Sequence, residues 1–136
     1  MDTGKIIDRN VVKKLAEKYK LSLVVLFGSQ VSGKTHPESD TDIAFISREP
    51  MQVMDTIRMQ MEFSEELKIN DLDLVDLRGK PPLFLKQVAL NGIALYETSR
   101  AVFTQFRIYA VKLYIEYRPL FLMRRASLEK FLHKHL

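Results

Sequence analysis

The chain has 136 residues, of which 46% are hydrophobic and 28% charged. These values are typical of one globular domain with a buried core, and they exclude a disordered chain. Because the sequence contains no cysteine, disulfides, thiolate metal sites and cysteine nucleophiles are excluded. No apolar run approaches the ~20 residues that span a bilayer, and the N-terminus does not resemble a signal peptide, so we expect a cytoplasmic protein.

The first half of the chain alternates between helix and strand patterns. Asp8 is a candidate N-cap for an amphipathic helix, and Leu21–Phe27 is a β-branched run typical of a buried strand. The polar residues 30–39 predict a short helix or turn followed by a loop. The segment Asp40–Ser47 predicts a second strand.

Apolar residues at helical spacing then predict a helix over residues 50–68, with Pro50 in its first turn. The residues that define its apolar face are Val53, Met54, Ile57, Met61 and Leu67. The methionines of this segment (Met51, Met54, Met59 and Met61) are interpreted as helix core and flank. Residues 71–77 predict a third strand.

The remaining third of the chain begins with a short helix predicted over residues 83–90. This helix is expected to end at Asn91 and Gly92. Residues 93–96 predict a fourth strand. From Ser99 onward we expect one or two helices, with Pro119 as a kink or break.

Net charge divides the chain into two parts. Residues 100–136 contain eight Lys and Arg against two Glu, so the overall charge of +4 originates in the C-terminal segment. We predict a domain over residues 1–98 and a C-terminal helical extension over 99–136 that belongs to the same structural unit. The basic segment is compatible with a solvated face, an acidic partner or RNA phosphates, although no RNA-binding motif is recognised.

The candidate chemistry lies at two strand ends separated by ten residues. Gly28 and Ser29 follow the first strand, where a helix start would present backbone N–H groups and a hydroxyl to a phosphate. Asp40 and Asp42 open the second strand two residues apart, so both carboxylates point to one face. Neighbouring carboxylates repel each other unless a cation lies between them, and Mg²⁺ prefers such oxygen ligands.

A third carboxylate is expected from the third strand. Because successive side chains of a strand point to opposite faces, Asp71 and Asp73 should lie on one face and Asp76 on the other. Asp73 is the candidate for a further metal ligand, or for the base that takes the proton from an attacking hydroxyl. Asp71 is the alternative on the same face, and Asp76 is interpreted as a solvated or structural carboxylate.

Gly-Ser, ten residues and Asp-x-Asp together resemble the signature of the DNA polymerase β-like nucleotidyltransferases. At this length the chain is similar to the minimal nucleotidyltransferases (MNT), which are encoded beside HEPN-domain toxins and act as their antitoxins. The similarity covers about residues 8–98, including Leu72–Leu77 and Pro81–Glu97.

The resemblance implies an α+β fold with a mixed sheet of three or four strands flanked by helices, followed by C-terminal helices. It implies transfer of AMP from ATP, with Mg²⁺ or Mn²⁺, to a hydroxyl group, in the toxin–antitoxin cases a tyrosine of the toxin. By analogy with the family motif, Asp40 and Asp42 would bind the metal, and Asp73 would complete a triad of carboxylates. Gly28 and Ser29 would hold the nucleotide.

One position departs from the family pattern. Related sequences usually carry Arg or Lys before the glycine of the ten-residue spacer, whereas this chain has Ser32 there. Lys34 is the candidate for supplying this charge to the nucleotide from a shifted position. The departure leaves open a catalytically weak module that neutralises its partner by stoichiometric contact. A third hypothesis is a small-molecule or RNA nucleotidyltransferase that works with a separate substrate-binding subunit.

The resemblance also implies a partner, a HEPN-family toxin held in a hetero-oligomer. Apolar residues of the C-terminal segment cover more than one helical face, so one side would pack on the domain and another on the partner or on a second copy. These residues are Val102, Phe103, Phe106, Tyr109, Ala110, Leu113, Tyr114 and Tyr117. His36, His133 and His135 lack metal-ligand spacing with other strong ligands, and the last two are interpreted as solvated.

Overall fold

The computed structural model of the chain describes residues 7–28 and 41–135. Within these ranges, four strands form one mixed sheet that is flanked by four helices, which confirms the predicted α+β fold. The elements in chain order are α1 (Arg9–Lys18), β1 (Leu21–Phe27), β2 (Thr41–Ser47), α2 (Val53–Leu67), β3 (Leu72–Asp76), α3 (Pro82–Asn91), β4 (Ile93–Glu97) and α4 (Val102–His135). The helix or turn predicted for residues 30–39 lies outside the described residues.

The strand order in the sheet is β3-β2-β1-β4. β1 runs antiparallel to both β2 and β4, whereas β2 and β3 are parallel and are joined through α2. Phe27 is the register partner of Asp42, and Asp42 is in turn the partner of Asp73. The end of β1 and the beginnings of β2 and β3 therefore meet at one end of the sheet.

Helices α1 and α2 cover one face of the sheet, which we call the α1/α2 face. The Asp8 carboxylate accepts hydrogen bonds from the N–H groups of Asn10, at 2.9 Å, and Val11, which confirms the predicted N-cap. The core of this face consists of buried apolar side chains, among them Leu15, Val24, Ile43, Phe45, Met59 and Phe63. Their burial removes apolar surface from water and holds both helices on the sheet.

Helix α2 was predicted, but two details of that prediction are wrong. The helix begins at Val53 with Gln52 as its N-cap, so Pro50 precedes it. The side that packs on the sheet carries Met59 and Phe63, whereas four residues of the predicted apolar face are between 47% and 72% exposed. These four are Val53, Met54, Ile57 and Met61. Apolar residues occupy two sides of α2, so their spacing alone does not select the buried one.

Helix α3 and the beginning of α4 pack on the opposite face, the α3/α4 face. Its buried core includes Leu23, Val25, Ala44, Leu85, Val88, Phe106 and Ala110. The side chain of Glu97, the last residue of β4, accepts a hydrogen bond at 3.0 Å from the N–H of Phe103 in the first turn of α4. This bond fixes the start of α4 beside the sheet, because the first N–H groups of a helix have no partner within it.

Of the one or two helices expected after Ser99, the structure has one, α4, whose 34 residues continue through Pro119 without a break. Phe106 and Ala110 are buried, which confirms that one face of this segment packs on the domain. We call residues 102–114 the near half and residues 115–135 the far half. Every residue of the far half is exposed. No helix within the described ranges combines the length and the apolar composition needed to cross a membrane.

Candidate active site

Gly28 directly follows β1 and has a backbone φ of +89°, a conformation that glycine adopts at little cost. A methyl carbon added to Gly28 would lie 3.2 Å from Cγ of Asp42 and would overlap its Oδ2 atom. The backbone at residue 28 and the Asp42 carboxylate are therefore in close contact. Any other residue at this position would displace that carboxylate.

Asp42 and Asp73 lie side by side on parallel strands. They are register partners near the beginnings of β2 and β3, and neighbouring strands are about 4.8 Å apart. Residues at matching positions of a parallel pair point to the same face, which here is the α3/α4 face because Asp42 alternates with the buried Ala44. Asp42 is half-buried and Asp73 is exposed. The structure thus brings together Gly28, Asp42 and Asp73 from three neighbouring strands.

The other acidic residues of the third-strand segment have different surroundings. Asp71 precedes β3, and its carbonyl accepts a hydrogen bond from the N–H of Thr41 at 2.8 Å. The Asp76 carboxylate accepts a hydrogen bond from the N–H of Arg78 at 2.9 Å, so it stabilises the turn after β3. The strand register, by contrast, places Asp73 directly beside Asp42.

Three candidate site residues, Ser29, Lys34 and Asp40, lie outside the described residues, as does Ser32. No group of three or more His, Asp or Glu side chains that could hold a metal ion occurs within residues 7–28 and 41–135. Asp40 lies outside these ranges. The described part of the chain therefore contains two of the three carboxylates expected for the triad.

An aromatic pair lies next to this end of the sheet and was not recognised from the sequence as part of the site. Phe27, the residue before Gly28, contacts Phe84 of α3 edge to face, with ring centroids 5.6 Å apart. The register places Phe27 opposite Asp42. Because Phe84 is far from Phe27 in the sequence, no local pattern indicates that the two rings form an apolar wall beside the carboxylates.

The functional groups of this site indicate which ligands it can bind. Two adjacent carboxylates provide hard oxygen ligands for a divalent cation, and the absence of a side chain at Gly28 lets the Asp42 carboxylate lie against the backbone at the end of β1. Such a site is suited to displacement at a nucleotide phosphorus, where positioning and neutralisation of charge contribute most to the rate. The fold and the site together define a nucleotidyltransferase.

Comparison with known proteins supports this class. The family described as Polymerase beta, Nucleotidyltransferase matches residues 10–101, more than half of the chain. Two curated relatives are protein adenylyltransferases. Protein adenylyltransferase MntA of Shewanella oneidensis is 29% identical over 123 residues, which are 90% of this chain and 85% of that protein. A probable protein adenylyltransferase MntA of Haemophilus influenzae is 36% identical over 96 residues, 71% of this chain and 82% of that protein.

Solved structures of toxin–antitoxin complexes contain chains with the same fold. One, a toxin–antitoxin with AMP-PNP, matches with a TM-score of 0.73 and 26% identity, covering 93% of this chain and 99% of that chain. Another is tri-AMPylated Shewanella oneidensis HEPN toxin in complex with MNT antitoxin. It matches with a TM-score of 0.66 and 25% identity, covering 91% of this chain and 95% of that chain. The chain belongs to the MntA protein adenylyltransferases of the polymerase β nucleotidyltransferase family, and its substrate is a nucleotide.

Proposed function

We propose that this chain is an antitoxin that transfers AMP from ATP to a tyrosine hydroxyl of a HEPN-family toxin and thereby neutralises it. The observation that carries the proposal is the placement of Asp42 beside Asp73 on parallel strands, with the Gly28 backbone against the Asp42 carboxylate. The relatives named MntA, and the complex of an MNT antitoxin with a tri-AMPylated toxin, support the choice of acceptor.

The reaction is a single displacement at phosphorus. The acceptor oxygen forms a bond to the α-phosphorus of ATP, the bond from that phosphorus to the bridging oxygen of the β-phosphate breaks, and pyrophosphate leaves. The hydroxyl proton passes to the carboxylate of Asp73 and then to water. The backbone at Gly28, together with Ser29 and Lys34, holds the triphosphate.

A divalent cation fits the donor set of this site. Asp42 and Asp73 present carboxylate oxygens on one face, and Asp40 is two residues before Asp42 in the sequence. We assign these three residues as the ligands of Mg²⁺ or Mn²⁺. When bound, the cation neutralises charge on the phosphate oxygens during transfer.

The toxin docks on residues 99–136, mainly on the far half of α4. The buried face of the near half continues into it, because Phe106, Ala110, Tyr117, Phe121 and Leu128 are spaced by 4 or 7 residues and share one side of the helix. Beyond residue 114, no described part of the chain covers this side. The far half carries five Lys and Arg against two Glu, so repulsion opposes pairing with a second copy and favours an acidic partner.

The proposal is tested by transfer of label from α-³²P-ATP to the co-expressed toxin in the presence of Mg²⁺. We expect Asp42→Asn and Asp73→Asn each to lower the transfer rate at least about a hundredfold, with toxin binding retained. Asp76→Asn is the matched control on the other side of β3, and its rate should stay within about twofold of wild type.

Two outcomes would contradict the proposal. If the wild-type chain forms a stable complex in which the toxin is inactive but carries no label, the chain acts by stoichiometric contact. If Asp71→Asn abolishes transfer while Asp73→Asn does not, the third carboxylate is Asp71 and the assignment of Asp73 is wrong.

A further inference from the structure

A cavity of about 610 Å³ lies between the sheet and α4 on the α3/α4 face. Its floor is formed by residues near the carboxyl ends of β2 and β3, and its wall by the near half of α4. The apolar side chains that line it include Ile46, Leu77, Leu85, Phe106, Tyr109 and Leu113. The cavity is therefore shaped to bind an apolar or aromatic side chain.

Two cations border this apolar surface, and no Asp or Glu lines it. Arg78 and Lys80 belong to the turn between β3 and α3, and the Arg78 guanidinium donates a hydrogen bond from Nη2 to the carbonyl of Ser47 at 2.5 Å. Within the described residues, neither cation forms an ion pair with a carboxylate. The mouth of the cavity thus carries positive charge that is available to an acidic group.

The cavity and the paired carboxylates lie on the same face of the sheet. Ile46, which lines the cavity, is four residues after Asp42 on β2, and every second residue of a strand points to the same side. At about 3.3 Å per residue, the two positions are about 13 Å apart along the strand. A peptide anchored in the cavity reaches the carboxylates with about four extended residues.

We propose that this cavity binds the segment of the toxin that carries the acceptor hydroxyl. The anchor is an apolar or aromatic side chain, and an Asp or Glu beside it pairs with Arg78 and Lys80; both lie about four residues from the acceptor. The accessible apolar lining favours a peptide over a nucleic acid, which would offer phosphates to the cations and leave Ile46, Tyr109 and Leu113 uncovered. This inference rests on the proposed function.

The test uses the assembled complex of full-length chain and toxin at saturating ATP. The double variant Arg78→Glu/Lys80→Glu should lower the rate of AMP transfer by about tenfold or more, while the KM for ATP stays unchanged and thermal unfolding shifts only through loss of the hydrogen bond from Arg78 to the carbonyl of Ser47. The matched control is Lys13→Glu/Arg48→Glu, which makes the same change of net charge at exposed positions outside the cavity. Its transfer rate should equal that of wild type.

A charge swap separates recognition from a structural effect. Replacing the acidic residues of the toxin that lie near the acceptor by Lys should restore transfer in the double variant and lower it in wild type. Unchanged transfer in the double variant, or a loss that no such swap restores, would overturn the inference. Unchanged transfer with weakened binding of a 12-nucleotide RNA would also overturn it, in favour of a nucleic-acid site. If the wild-type complex itself transfers no AMP, it is the proposed function that fails.

Discussion

The two faces of the sheet differ in what covers them. On the α1/α2 face, helices cover the strands, and Val12, Leu15, Met59 and Phe63 have no exposed surface. On the α3/α4 face, a comparable apolar core occupies only part of the area. The rest of that face holds the cavity beside α4 and, at the opposite ends of the strands, Asp42 and Asp73.

This difference indicates that the α1/α2 face contributes more of the stability, whereas the α3/α4 face carries the candidate active site. Carboxylates that accept a nucleotide and, as proposed, a protein segment need an accessible surface, and such a surface contributes little apolar burial. We therefore expect substitutions on the α1/α2 face to act on unfolding, and substitutions on the α3/α4 face to act first on transfer.

The largest expected effect compares the same truncation on the two faces. Phe63→Ala should lower the free energy of unfolding by about 4 kcal/mol, because it leaves an enclosed cavity in the core. Phe106→Ala should cost about half as much, since Phe106 already lines an open cavity that water can enter. Urea denaturation of both variants measures the difference. Equal losses would contradict the contrast between the faces.

A smaller effect on unfolding, with a larger one on transfer, is expected at Gly28. Gly28→Ala should lower the free energy of unfolding by about 1–2 kcal/mol, because alanine disfavours the positive φ at this position. AMP transfer should fall much more, at least about a hundredfold, because the added methyl group displaces the Asp42 carboxylate. Gly79→Ala is the control for the unfolding effect, since residue 79 also has a positive φ but its added carbon would contact nothing. A transfer rate of Gly28→Ala equal to that of wild type would refute the contact.

The next largest expected effect is a pH-dependent contribution to the free energy of unfolding, made by a cluster of side chains that joins α1 to α2. The Tyr19 hydroxyl donates a hydrogen bond to Glu62, which also accepts one from Lys18 Nζ at 2.7 Å. Burial, with the Glu62 carboxylate adding to it, raises the pKa of Tyr19 from 10.0 to about 12. The hydrogen bond from Lys18, followed by that from Tyr19, lowers the pKa of Glu62. The cluster thus stabilises the fold most between these two titrations.

Tyr19→Phe should lower the free energy of unfolding by about 1 kcal/mol at pH 7. The raised pKa of Tyr19 means that its contribution is complete below pH 10 and is lost as the pH rises toward 12, so wild type and variant should converge in that window. Urea denaturation at pH 7 and at pH 11 measures this. Tyr117→Phe, at an exposed position, should change neither value. A difference that grows at high pH would contradict the assignment.

The smallest effect on unfolding is expected in the far half of α4. Phe121→Ser/Leu128→Ser should change the free energy of unfolding by less than about 0.5 kcal/mol for each substitution, because both side chains are more than half exposed. The same variant should weaken toxin binding by at least about tenfold, as measured by calorimetry. A clear loss of stability would show that this half packs on the domain in solution.

The sequence predicted the strands and the class of activity better than the packing. The bounds of β1 agree with the prediction because a β-branched run ends abruptly at Gly28. The buried side of α2 could not be predicted, since Met54 and Met61 on one side and Met59 and Phe63 on the other are equally apolar.

The contacts that build the site also could not be predicted in detail. That Asp73 lies opposite Asp42, and that Phe84 contacts Phe27, depends on how segments distant in sequence pair and pack. The roles of Asp40, Asp42 and Asp73 as ligands remain predictions from the spaced motif. What the structure adds is the placement of Asp42 between Gly28 and Asp73.

The length of α4 has a consequence for the number of transfers made in one encounter. At about 1.5 Å per residue, its 34 residues extend about 50 Å, so a toxin docked on the far half, as proposed above, would stay attached when its acceptor leaves the carboxylates. Such tethering would keep other hydroxyl groups of the bound toxin at an effective concentration in the millimolar range. Successive modifications would then be local exchanges at the catalytic end of the sheet, and the rate of each would be independent of the concentration of free toxin.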